Sequence, residues 1–122
     1  MAMSKWMLSM FLFVLAAAPA AAADVRLDPY RHPENQKMRE FYLMFLDGVK
    51  SGLMAYNARV HAHGGEQAFC MPDDLLLTTE RAEEIMLQKA DKVSAKGDTP
   101  ISILLLAGLR DTFPCDKAKD RK

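Results

Sequence analysis

The chain has 122 residues, enough for one domain, with sixteen Lys and Arg against sixteen Asp and Glu and no formal net charge. That balance argues against a nucleic-acid binder, which would carry a basic excess or stripe, and a charged fraction of 26% is ordinary for a folded domain. Two cysteines are too few for a disulfide-rich miniprotein or a four-cysteine zinc site.

Residues 1–23 read as a signal peptide. Lys5 supplies the positive n-region, and Met7 to Ala18 is an uncharged run of h-region length, short of the roughly 20 residues that a membrane anchor needs. Pro19 and an alanine tract follow, with small residues at Ala21 and Ala23, so cleavage is expected before Asp24. Removing Lys5 leaves fifteen basic and sixteen acidic residues, and no later run approaches spanning length. A soluble mature protein with no membrane or nucleic-acid partner is the expectation.

Asp24 to Pro33 is a lead-in with two prolines and no clear period. From Glu34 the pattern turns helical. Met38, Phe41, Tyr42, Phe45, Val49, Leu53, Tyr56 and Val60 recur every three or four residues and draw one apolar stripe. Gly48 and Gly52 interrupt this helix one turn apart, each at about 1 kcal/mol relative to alanine. Together they form a shallow groove suited either to tight packing within the monomer or to a helix–helix dimer contact. The run HAHGG (61–65) ends the helix at its glycine pair.

Pro72 and an irregular stretch with Leu75, Leu76 and Leu77 lead to Thr78 or Thr79, either of which can cap the next helix. Glu80, Glu83 and Glu84 then sit near its positive end, and Ala82, Ile85, Met86, Ala90 and Val93 give its buried face. Gly97 is expected to stop it. Asp98-Thr99-Pro100 reads as a cap with proline at the first helical position. A last helix buries Ile101, Leu104, Leu105, Gly108, Leu109 and Phe113 and ends at Pro114. The seven residues from Asp116 carry six charges and read as a frayed tail.

These elements predict an all-α fold, a small helical domain of three to four helices with one structural disulfide. Its span is 24–115, and its core includes Phe41, Phe45, Val49, Leu53, Ile85, Val93, Ile101, Leu105 and Leu109. Cys70 and Cys115 both lie in the mature region, and an oxidising compartment favours pairing them over use as a catalytic thiol or a metal ligand. A bridge across 45 positions would contribute up to about 4 kcal/mol by loop entropy.

Chemistry is mostly missing from the pattern. His61 and His63, with Glu66 and Cys70 nearby, could hold zinc, but the spacing is weakly specific and Cys70 is already assigned to a bridge. A solvated loop with no metal is the expectation. Glu83 and Glu84 point about 100° apart on a helix and do not converge on a substrate. No nucleophile elbow, phosphate-binding glycine loop or metalloprotease motif is present. A protein without catalytic residues or cofactors is expected.

The order Phe45-Leu46-Asp47-Gly48-Val49-Lys50-Ser51-Gly52, then Phe69-Cys70-Met71-Pro72, then a closing Phe113-Pro114-Cys115 resembles the Rap/Tai-like immunity proteins. That family protects bacteria against peptidoglycan amidase toxins delivered by type VI secretion. The resemblance covers about Phe41 to Cys115. It implies an all-α periplasmic domain with joined cysteines, usually a homodimer that occludes an amidase active site. It also implies that a loop between later helices enters the toxin. Here that loop is Ser94 to Thr99, with Lys96 and Asp98 around Gly97, and the loop of His61 and His63 is a second candidate. A general periplasmic chaperone or envelope-stress helper without a toxin partner is the alternative, slightly favoured by five methionines in the mature region.

Overall fold

The computed structural model describes residues 24–116. Residues 1–23, expected to be a signal peptide, and residues 117–122 of the expected tail 116–122 lie outside the described residues. Among these are four helices and no strand: α1 (Leu27–Arg31), α2 (Gln36–Ala62), α3 (Thr79–Lys92) and α4 (Ile101–Thr112). The all-α expectation is met, and Cys70 is bonded to Cys115.

The closest helix pair is α3 and α4. On α3, Ala82, Ile85, Met86 and Ala90 are buried, and on α4 they face Ile101, Leu104, Leu105 and Leu109. Gly108 makes the close approach possible. A Cβ there would stand 2.8 Å from Ile85 Cγ2 and 2.9 Å from the Ile85 carbonyl oxygen.

Asn35 caps α2, its side chain accepting from the Met38 amide at 2.9 Å. The 27-residue α2 is longer than α3 or α4, so only one side of it finds core. Leu46 is fully buried, and Tyr42, Phe45, Val49, Leu53 and Met54 pack partly buried around it. Phe41 was expected in the core but is 52% exposed, because its position points away from the Leu46 side of the helix. Tyr56, also on the expected stripe, is 68% exposed, so the buried side of α2 is narrower than its periodicity predicts and centres on Leu46, which the stripe leaves out.

Three further corrections concern element ends. The lead-in is not patternless coil: α1 buries Leu27 and Tyr30. Two buried residues in five are too few to show a period. Helix α3 stops at Lys92, before the expected Gly97. The chain turns sharply at Ser94, whose φ is +49°, and this leaves Val93 50% exposed rather than in the core. Pro100 is the residue before α4 and not its first turn, and no side chain caps that end. The Ile101 amide donates instead to the Val25 carbonyl at 2.9 Å.

Side chains join α1, α2 and α3 at one point. The Tyr30 hydroxyl donates to Glu83 Oε1 at 2.9 Å, and Arg39 donates to the same oxygen at 2.6 Å. Burial, and then the neighbouring Glu83, push the Tyr30 hydroxyl well above the ordinary phenol range. The hydrogen bond to Glu83 raises Arg39 as well. Arg39 also lies 5.4 Å from the centroid of the Tyr30 ring.

The long connection from α2 to α3 is fixed from both sides. Buried Asn57 donates from Nδ2 to the Phe69 carbonyl at 2.7 Å and accepts the Ala68 amide at 2.8 Å. Phe69 is buried, and the next residue, Cys70, donates its amide to the Phe113 carbonyl at 2.8 Å beside the disulfide. Asn57→Ala should therefore lower stability by about 1–3 kcal/mol, since the buried Phe69 carbonyl and the part-buried Ala68 amide lose their partner. Equilibrium urea unfolding of the oxidised protein measures this, and an unchanged midpoint would contradict it.

Candidate functional site

The connection from α3 to α4 has a well-defined shape. The Ala95 amide donates to the Ala90 carbonyl at 2.9 Å, and the Thr99 amide to the Lys96 carbonyl at 3.0 Å. The segment before α1 then runs beside it. The Leu27 amide donates to the Thr99 carbonyl at 3.0 Å and the Asp28 amide to the Gly97 carbonyl at 2.9 Å. Arg26 adds a bond from its guanidinium to the Asp98 carbonyl at 2.7 Å and forms an isolated bridge with Pro100.

These bonds give the connection an inside and an outside. Ala95, Gly97 and Thr99 are half-buried, whereas Ser94, Lys96 and Asp98 are exposed. Gly97 is small for a reason: a Cβ there would fall within 1.8 Å of an Asp28 carboxylate oxygen. Of the loop residues singled out from sequence, Ser94, Lys96 and Asp98 thus offer side chains to solvent, while Gly97 lets the loop close against α1. The sequence carried no signal for the role of residues 25–28, which, apart from the Arg26 guanidinium, act through main-chain atoms.

His61 and His63 occupy the other end of the molecule's longest helix. His61 is in the last turn of α2, where an imidazolium would complement the helix carbonyl end, and His63 is the C-cap. Both are exposed. Gly64, at φ +73°, donates its amide to the His61 carbonyl at 3.0 Å and turns the chain. No hydrogen bond or ion pair joins these histidines to residues 94–99 among the described residues. Cys70 is not available to a metal with them, because its sulfur is in the bridge.

The exposed side of α2 was not expected. Phe41, Met44 and Tyr56 are 52%, 73% and 68% exposed, and Gly48 and Gly52 are exposed between them. A Cβ at either glycine would meet nothing within 4 Å. Packing within the monomer therefore does not account for the glycines. Leu75 and Leu76, in the connection before α3, are also exposed.

Charged pairs elsewhere sit at helix surfaces. Lys50, by its hydrogen bond, and then Thr79 hold the Asp47 carboxyl below the ordinary range, and Lys89 does the same for Asp111. None of these groups converges with a histidine or a thiol into a reactive constellation. The described residues form a small helical domain, stapled by one disulfide. The chain belongs to the Rap1a immunity proteins, whose family model matches residues 20–115. No curated protein and no solved structure matches it. Among the described residues, no helix is long and apolar enough to cross a membrane.

Proposed function

We propose that this protein is a periplasmic immunity protein, exported by a cleaved signal peptide, that binds and occludes a peptidoglycan amidase toxin delivered by type VI secretion. It acts as a stoichiometric plug and not as an enzyme. The observation that carries this reading is the α3–α4 connection, with Ser94, Lys96 and Asp98 facing out on a backbone tied to residues 25–28. A loop fixed before binding loses little conformational entropy on entering a cleft. Family membership supports a toxin as the partner. His61 and His63 form a second contact region, at the far end of α2.

The tagged, signal-bearing chain, captured from the periplasm of its source organism, should bring down one stoichiometric partner with amidase activity. Adding the protein back should abolish that activity. The double variant Lys96→Glu with Asp98→Lys should weaken inhibition at least about tenfold, the loss of roughly 1.4 kcal/mol of contact. A broad set of weak clients would instead favour the chaperone reading, which the exposed apolar side of α2 also suits.

We further propose that this side of α2 meets a second copy. An antiparallel crossing at the Gly48–Gly52 groove lets two helix backbones approach closely. It sets Met44 of one copy near Tyr56 of the other, and Phe41 near Arg59, as a two-fold contact requires. Light scattering should give a dimer at micromolar concentration, and Gly48→Leu with Gly52→Leu should give a folded monomer. A monomeric parent, or a leucine variant that stays dimeric, would overturn the contact.

A further inference from the structure

Helices α2 and α3 end in the same backbone motif, and only one of them carries the residue that the motif favours. At the end of α2, the Gly64 amide donates to the His61 carbonyl at 3.0 Å and the Gly65 amide to the Val60 carbonyl at 2.9 Å. At the end of α3, the Ser94 amide donates to the Asp91 carbonyl at 3.2 Å and the Ala95 amide to the Ala90 carbonyl at 2.9 Å. This pair of bonds requires the residue after the helix cap to take a left-handed conformation. Gly64 meets that need at φ +73° and Ser94 at φ +49°. Among the described residues, Ser94 is the one non-glycine residue with a positive φ.

Space does not decide between glycine and a larger residue at these ends. A Cβ at Gly64 would meet nothing within 4 Å, so the backbone angle alone accounts for the glycine. A serine in the left-handed region sets its Cβ against the neighbouring carbonyl, a cost that glycine avoids. The Ser94 side chain recovers none of that cost within the domain. It is exposed, and its hydroxyl has no hydrogen-bond partner among the described residues. The same turn leaves Val93 50% exposed next to it. Lys96 and Asp98 follow on the same exposed side of the connection. Strain kept at one exposed residue of a fixed loop points to a use outside the domain.

We infer that Ser94 is a specificity-determining contact: its hydroxyl forms a hydrogen bond with a polar group at the rim of the toxin's cleft, and Val93 shields that bond from water. The inference rests on the α3–α4 connection being the toxin-binding surface, as proposed above. The left-handed turn fixes where the hydroxyl stands before the toxin arrives, so the bond forms with little loss of conformational freedom. A bond sheltered by an apolar neighbour is also stronger than one open to water.

Melting and inhibition, both measured on the oxidised protein, separate the cost of the turn from its use. Ser94→Gly removes strain and hydroxyl together. It should melt about 2 °C or more above the parent, even after the greater freedom that glycine regains on unfolding. It should also inhibit the amidase captured from the periplasm about fivefold less well. Ser94→Ala keeps the strained turn and removes only the hydroxyl, so it should melt no higher than the parent yet lose the same inhibition. Gly64→Ser introduces the strain at the end of α2 and should melt about 2 °C or more below the parent. A glycine variant that melts no higher than the parent would overturn the strain, and an alanine variant with full inhibition would overturn the contact. Full inhibition by both Ser94 variants, with Lys96→Glu and Asp98→Lys still damaging, would confine the failure to Ser94. Full inhibition by that double variant as well would overturn the loop reading itself.

Discussion

The arrangement depends on one pairing of main chain with main chain, between residues 25–28 and 97–101. Three amide donors are committed there: Leu27 to Thr99, Asp28 to Gly97, and Ile101 to Val25. Each joins segments about seventy residues apart in sequence and satisfies a group at a helix end or in a turn that would otherwise need water. The Ile101 bond replaces the side-chain cap that α4 lacks. The other two hold the α3–α4 connection from outside. Without them, α1 would have no reason to form, since five residues cannot sustain a helix alone. The strip of chain so held buries Leu27 and Tyr30.

A second constraint acts at the opposite end of α4. The Cys70–Cys115 bridge, the Cys70–Phe113 backbone bond and the Asn57 clamp fix the long α2–α3 connection. Helix α4 is thus tied at its start to the amino-terminal segment and at its end to the connection before α3. Between the ties, Gly108 lets it settle closely on Ile85. Such double fastening suits a small domain whose core is modest and whose surface presents fixed loops to a partner. Membership in the Rap1a immunity proteins agrees with that design.

Much of this was legible in the sequence where a local signal exists. Thr78 as a cap, the glycine stop after α2 and the apolar faces of α3 and α4 all follow from spacing and capping chemistry. The disulfide followed from the expectation of an oxidising compartment and from having only two cysteines. The errors arose where tertiary contacts decide. Phe41 and Leu46 lie on one apolar helix, and only the position of α3 and α4 determines which of them is covered. Val93 continues the period of α3, but the turn at Ser94 takes it out of the core. Asn57 looks like any polar residue on a helix until the chain returns to it twelve residues later. The candidate site was partly visible for the same reason. Lys96 and Asp98 stand out as charges around a glycine, whereas the bonds that fix their loop come mostly from backbone atoms, which carry no residue signature.

The central claim is that the α3–α4 connection is held in its binding shape before any partner arrives. Amide hydrogen exchange of the isolated oxidised protein, read residue by residue, tests it most directly. The amides of Leu27, Asp28 and Ile101 should be protected to within about tenfold of the Leu105 amide in the core of α4, because opening them requires lifting α1 from the domain. Exchange of Leu27 and Asp28 at the rate of an open chain, with Leu105 still protected, would contradict a preformed loop.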